Sequence, residues 1–242
     1  MKVPSLVIVC ILFAGGVASA QNLNHFGVFP VIDHSGQLSD KWNYSLYYFG
    51  AFNLVNDKSS ESPDMSGFFI FYSETAMTYS LNKSLSFTGA YVYERQRPLD
   101  KDYYRNENRF HIQTMLKSNI GKFELRNRLR YDGRFIQNRE TNETPYTSRL
   151  RYLIGVTVPL GGEKFYFNAS NEMFFNTYSD AEVVYGENWA YAGVGLRTKK
   201  AGAFELGPFY MFWVANKERD LLNFYYIQLS WITKVDFRKT DL

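Results

Sequence analysis

Lys122–Phe135 reads KFELRNRLRYDGRF, and its period of two decides the fold. One face carries Phe123, Leu125, Leu129, Tyr131 and Phe135; the other carries Glu124, Arg126, Arg128, Arg130, Asp132 and Arg134. Successive side chains of a β-strand point to opposite faces of its sheet. A soluble core cannot bury such a row of arginines, and a solvated outer face rarely stands opposite so clean a set of hydrophobes. A strand of a membrane barrel uses both faces, one toward lipid and one toward a polar lumen. The stretch therefore predicts a transmembrane β-strand.

The flanking runs repeat the pattern. Trp42, Tyr44, Leu46, Tyr48, Phe52 and Leu54 alternate with Asn43, Ser45, Tyr47 and Asn53. Phe69, Phe71, Met77, Tyr79 and Leu81 stand opposite Glu74, Thr78 and Ser80; Leu85, Phe87, Tyr91 and Tyr93 stand opposite Ser86, Thr88, Glu94 and Gln96. Phe110, Ile112, Thr114 and Leu116 oppose Arg109, His111 and Gln113, and Leu150, Tyr152, Ile154, Val156 and Val158 oppose Thr147, Arg149, Arg151 and Thr157. Runs at 165–175, 187–197, 204–214 and 224–235 complete ten, although Asn171 falls among the apolar set of the first of these.

Connections near 82–84, 119–121, 161–163 and 200–202 are short, whereas those near 56–66, 98–105, 137–145, 178–186 and 216–222 are longer and polar. Short periplasmic turns alternating with long extracellular loops are the outer-membrane pattern. Five long loops with both chain ends periplasmic give an all-β, antiparallel up-and-down barrel of ten strands over residues 41–238. Pairing the 24–32 segment with another short piece would give twelve. Residues 21–40 read as a periplasmic lead-in, short strand or plug, because Pro30 argues against a central strand. Residues 239–242 read as a C-terminal tail. Trp42 and Trp231 have the outward parity of their strands and suit an interfacial girdle.

The composition agrees. The chain has 242 residues, suited to one domain, with 19 Tyr and 21 Phe, residues that membrane barrels place at lipid interfaces. A mean hydropathy of −0.32 fits a barrel, where polar inward residues offset apolar outward ones. After Ala20 no apolar run approaches the ~20 residues of a membrane helix, so a bilayer would have to be crossed by a closed sheet. Residues 1–20 read as a secretory signal peptide: Lys2, an apolar Leu6 to Phe13, and Ala18-Ser19-Ala20 before Gln21. This gives a Gram-negative outer-membrane address. Cys10, the only cysteine, lies in that apolar run behind Val9, not the small residue a lipoprotein signal needs. The mature chain would then have no thiol chemistry and no disulfide. Removing Lys2 leaves 26 basic against 24 acidic residues, too balanced to argue for a nucleic-acid partner.

ENRFHIQ, LRNRLRYDGRF, SRLRYLIGVTVPL and FYFNASNEMFFN together resemble the bacterial outer-membrane barrel family catalogued as domain-of-unknown-function family 2490. The resemblance extends more weakly from Phe26-Gly27 to Trp231. Two features depart from the expected pattern: Phe237, a barrel-assembly aromatic, is followed by RKTDL, and Asn188-Trp189 stands in place of Asn-Arg. The resemblance implies a barrel and an outer-membrane address, and it implies no reaction.

Arg109, Arg126, Arg128, Arg130, Arg134, Arg149 and Arg151 come from three consecutive strands and share inward parity. With strands ~4.8 Å apart they form one basic wall. Glu74, Glu94, Glu107, Glu124, Asp132 and Glu172, with His111, share that parity and can face it. The favoured reading is an internal salt-bridge ladder in a non-enzymatic, porin-like barrel. Barrels of about eight strands have interiors just filled by side chains, whereas aqueous channels come at about 16–18. The alternatives are a narrow anion-preferring channel for small solutes and an outer-membrane lipid hydrolase. The hydrolase would take His111 as base and Ser86 or Ser148 as nucleophile, but no spacing specifies such a pair. Three histidines without His-x-x-His give no metal site, and no cofactor motif is present: Gly193-x-Gly195 lacks the third glycine of a dinucleotide site. The expected partners are outer-membrane lipid and a small anionic solute or a protein.

Overall fold

The computed structural model describes residues 22–56, 66–98, 103–162, 164–177, 183–214 and 221–238. The predicted signal peptide with Cys10, the tail 239–242 and the tips of four long connections lie outside the described residues. Among the described residues eleven strands form one closed barrel: β1 (Asn22–Gln37), β2 (Trp42–Asn56), β3 (Gly67–Ser80), β4 (Leu85–Gln96), β5 (Arg105–Ile120), β6 (Phe123–Ile136), β7 (Tyr146–Pro159), β8 (Phe165–Thr177), β9 (Val183–Arg197), β10 (Ala203–Val214) and β11 (Leu221–Asp236). Each strand pairs antiparallel with its sequence neighbours, and closure is made by a parallel pairing of β1 with β11. No helix among the described residues is long and apolar enough to cross a membrane.

The ten runs expected from Trp42 onward are β2 to β11. The expected count of ten, or twelve, is corrected to eleven by β1, which occupies the segment expected to stop short of a full strand. Pro30 explains both the expectation and its failure. Proline has no N–H to give a ladder, and β1–β2 pairing lapses between Val28↔Phe52 and Val31↔Phe49. On its other side Pro30 stays in the unbroken parallel register with β11, opposite Leu229. One ladder therefore tolerates the gap while the other holds the strand. The odd count sends β1 and β11 the same way along the barrel. The start of β1 thus lies at the long-connection end and the end of β11 at the short-turn end, which corrects the expectation that both lie on the short-turn side.

The short turns are tight. Gly121, between β5 and β6, has φ +61°, a left-handed conformation that glycine adopts without steric cost. Parity sorts the side chains as the alternation requires: Ile112 (68 % exposed), Leu129, Ile154, Leu206, Ile227 and Leu229 cover the outside, and Trp42 and Trp231 stand exposed near the short-turn end. Three β-bulges break the parity: one leaves Leu54 extra opposite Phe26 and Gly27, and two turn side chains inward. Ala51 pairs with Ile70 and Phe52 with Phe68, so Phe69 is an extra residue. It turns inward beside Ile70 and is fully buried, correcting its expected outward placement. Likewise Phe174 pairs with Glu187 and Phe175 with Tyr185, leaving Gly186 unpaired and turning Glu187 inward. Asn171, the irregular member of β8, exchanges two amide hydrogen bonds with Asn188 at 2.7 and 3.1 Å. That satisfies both polar side chains.

The parallel closure is testable by cross-linking. Val28 and Ile227 are register partners with exposed side chains, and the strands carry no native cysteine. In the folded barrel, Val28→Cys with Ile227→Cys should cross-link on oxidation, whereas Val28→Cys with Phe204→Cys should not. Closure of β2 directly onto β11 would leave the first pair reduced.

Candidate functional site

The inward positions of β5, β6 and β7 carry the basic wall in a register that sets like charges side by side. Arg109 faces Arg134, and Arg130 faces Arg151. Like charges directly opposite destabilise a sheet, so each cation needs a carboxylate from nearby, and each of these finds one. Arg109 donates to Glu107 and to Glu94, at 2.7 and 3.1 Å. Arg134 makes two 2.7 Å hydrogen bonds to the same Glu107. Arg130 reaches Glu74 on β3 at 3.2 Å, and Tyr72 also donates to Glu74, at 2.6 Å. Arg151 forks onto Glu172 of β8 at 2.7 and 2.9 Å, and Arg128 shares that carboxylate at 2.6 Å. Arg149 bonds Glu187 of β9 at 3.0 Å.

Asp132 is the hub. It is fully buried, with Arg149, Arg151 and Arg109 at 3.3, 3.6 and 4.0 Å. Through it the pairs become one connected network of five arginines (109, 128, 134, 149, 151) and five carboxylates (Glu94, Glu107, Asp132, Glu172, Glu187), beside which Arg130 and Glu74 form a sixth pair. His111 lies between that pair and the hub, its ring nitrogens 3.9 Å from Glu74 and 4.0 Å from Asp132, and neither nitrogen makes a hydrogen bond.

Two expected members stand apart. Arg126 has no carboxylate partner among the described residues and donates instead to Asn168. Glu124, one step into β6, joins no ion pair among them. Neither serine reaches His111. Ser148 has the outward parity, and Ser86 lies four residues along β4 from Ala90, the register partner of His111, which is about 13 Å at ~3.3 Å per residue. Among the described residues no group of three or more His, Cys, Asp or Glu is disposed to hold a metal ion.

Sequence parity missed the other half of the lumen. Phe29, Phe49, Phe69, Tyr72, Phe209, Met211, Phe224 and Tyr226 bury a cluster on β1, β2, β3, β10 and β11. Phe49 stacks on Tyr72 at 4.5 Å and on Phe29 at 4.7 Å. Cation–π contacts join this half to the charged one. Arg149 and Arg151 sit 4.7 and 4.4 Å from the Phe174 ring, and Arg151 is 5.7 Å from Trp189. The indoles of Trp189 and Trp213 both donate to Glu187, each at 2.6 Å. Trp189 thus stands where an arginine was expected, and it serves a neighbouring arginine's carboxylate. Glu187 was legible only as the start of a run, because the bulge at Gly186 sets its facing. Gly193 and Gly195 face inward against Tyr191 and Tyr166, leaving room for those rings.

These layers divide the lumen. A chamber of about 390 Å³ lies toward the short-turn end, and one of about 190 Å³ lies toward the long connections. Phe49 and Trp189 line both and form the partition between them.

Fold and site define a closed β-barrel with an ionic and aromatic filling at mid-height. Residues 26–221 match the family described as protein of unknown function (DUF2490), and the chain belongs to that family. No curated protein and no solved structure matches it.

Removing one member of a buried ion pair typically costs ~3–5 kcal/mol, because its partners are left charged and unpaired. Asp132→Ala removes the carboxylate that three buried arginines share and should lower the unfolding temperature most. Arg128→Ala should lower it clearly, and Arg126→Ala least. Thermal unfolding in detergent, followed by circular dichroism, checks the order; equal effects of Asp132→Ala and Arg126→Ala would contradict the network.

Proposed function

We propose that this chain is an outer-membrane barrel that does not conduct, and that its arginine–carboxylate network is a structural ladder closing the lumen. What carries the reading is the partition at Phe49 and Trp189, packed against the Arg149, Arg151 and Phe174 layer. A conducting pore would need an unbroken aqueous path, and eleven strands stand nearer the filled end of the size range than the aqueous one. The apolar outer surface supports a lipid environment. Without lipid, exposed residues such as Ile112, Leu129, Ile227 and Leu229 would form a patch far larger than soluble monomers carry. The balance of six arginines against six carboxylates favours the ladder over anion selectivity, since a selective ring keeps its charge uncompensated for the ion.

A narrow anion channel is the second reading, favoured by Arg126, whose charge meets no carboxylate among the described residues. The two separate in a planar bilayer. Wild-type protein should give conductance near the lipid background, and Phe49→Ala with Trp189→Ala should raise it by joining the chambers. Anion-selective conductance by the wild type would sink the ladder reading. The membrane address has its own check: an outer-membrane fraction with heat-modifiable gel migration is expected, and folded protein in the soluble periplasm would contradict it.

A further inference from the structure

We propose that the chamber toward the short-turn end binds a small amphipathic carboxylic acid, with its carboxylate on Arg126 and Arg128 and its apolar body against Phe29, Phe49 and Phe209. At about 390 Å³ the chamber falls within the ~300–1,000 Å³ range of small-molecule sites. Its lining residues come from near the short-turn ends of their strands: Arg126 lies three positions into β6, Asn168 three into β8 and Glu205 two into β10. Entry is therefore from that side, with the Phe49 and Trp189 partition as the floor.

The chemistry of the two walls is unlike. The β6–β8 wall carries Arg126, Arg128, Arg130 and Arg151. Arg130 is engaged by Gln113 and Glu74, and Arg151 by both oxygens of Glu172 and by Asp132. Arg128 has only a share of Glu172, through one terminal nitrogen, and Arg126 has only Asn168. The Nε of each is buried without a hydrogen-bond partner. The Nη1 of each makes no hydrogen bond among the described residues and is not among the buried atoms, so two adjacent guanidinium groups lining the chamber keep unused donors, and a planar carboxylate is the acceptor that guanidinium groups fit best.

The chamber's acids limit the ligand further. Glu205 is held by the Tyr166 hydroxyl at 2.8 Å and by the Asn168 amide at 3.0 Å. Asp33 lines the β1 side, away from the arginine wall. A second negative charge on the ligand would meet Asp33, so the fitting molecule has one anionic end and a neutral aromatic or alkyl body. The aromatic wall supplies a surface for that body.

The test is calorimetric titration of the full barrel in neutral detergent with 4-phenylbutyrate, its primary amide, the matching amine and inorganic phosphate. The acid should bind. The amide should bind about tenfold more weakly or worse, since hydrogen bonds to charged groups are worth enough for that ratio. Phosphate, which lacks the apolar body, should bind more weakly than the acid. Arg126→Gln should weaken the acid about tenfold and leave the amide unchanged. Arg126→Lys should restore part of the affinity, with heat-modifiable migration confirming that each variant is folded. No binding of the acid, equal binding of acid and amide, tighter binding of phosphate or the amine, or an unaltered Arg126→Gln would each overturn the assignment. Because the titration does not depend on conductance, its failure would leave the closed-barrel reading standing.

Discussion

Asp132 is a carboxylate with no access to solvent, surrounded by Arg109, Arg149, Arg151 and the ring of His111. Alone, any one of these ions would be expelled from such a place, because a buried, unpaired charge loses several kcal/mol or more of hydration. Together the three guanidinium groups compensate the charge of Asp132, although its Oδ1 and the His111 ring nitrogens make no hydrogen bond. The arrangement depends on register: Asp132 lies opposite His111 on β5 and Arg149 on β7, and this alignment fixes which carboxylate each neighbouring guanidinium can reach. The remaining pairs extend from that point to β3, β4, β8 and β9. The network is thus a consequence of strand pairing and also a check on it.

The aromatic half answers a different requirement. Arginines and carboxylates from seven adjacent strands, β3 to β9, cannot fill the far side of the lumen, and the space left must be closed without stranding more polar groups. Phe29, Phe49, Phe69, Phe209 and Phe224 do so from β1, β2, β3, β10 and β11. The two halves meet where flat cations lie on rings, Arg149 and Arg151 over Phe174. A guanidinium is weakly hydrated and stacks well on an aromatic face, so arginine suits this boundary better than lysine would. Trp189 spans it from the other side, with its ring near Arg151 and its N–H on Glu187.

The charged half was legible because charge leaves no ambiguity about facing. With apolar residues on one parity and Arg or Asp on the other, Lys122–Phe135 has a single reasonable register, and all seven arginines named from sequence have inward parity. The aromatic half was hidden by the same logic. In Tyr47-Tyr48-Phe49 nothing in the residue types tells the lumen side from the outer side. Phe69 and Glu187 were misread or overlooked for a more specific reason, a one-residue bulge that shifts parity and leaves no mark in a simple alternation. β1 is masked in the sequence by Pro30, which counts against a central strand although it interrupts only one of the two ladders. With β1 went the strand count and the parallel closure.

Why the filling is ionic at all can be argued from register. A buried ion pair is weak evidence of stability, since well-packed hydrophobes of the same volume often do as well. A barrel strand with rings and aliphatic residues on both faces, however, could slip by one residue at little cost. Slippage exchanges the two faces of a strand. For β6 in a bilayer, a slip would move Arg126, Arg128, Arg130 and Arg134 to the lipid side, at roughly 2–4 kcal/mol for each one near the midplane, and would place Leu125, Leu129 and Tyr131 against carboxylates that need partners. In a bilayer the slipped registers of β6 would therefore lie far above the native one. The aromatic strands, whose own sequences discriminate less, are aligned by pairing outward from that fixed sector around to the β1–β11 closure. On this argument the arginines contribute less to how stable the barrel is than to which barrel forms.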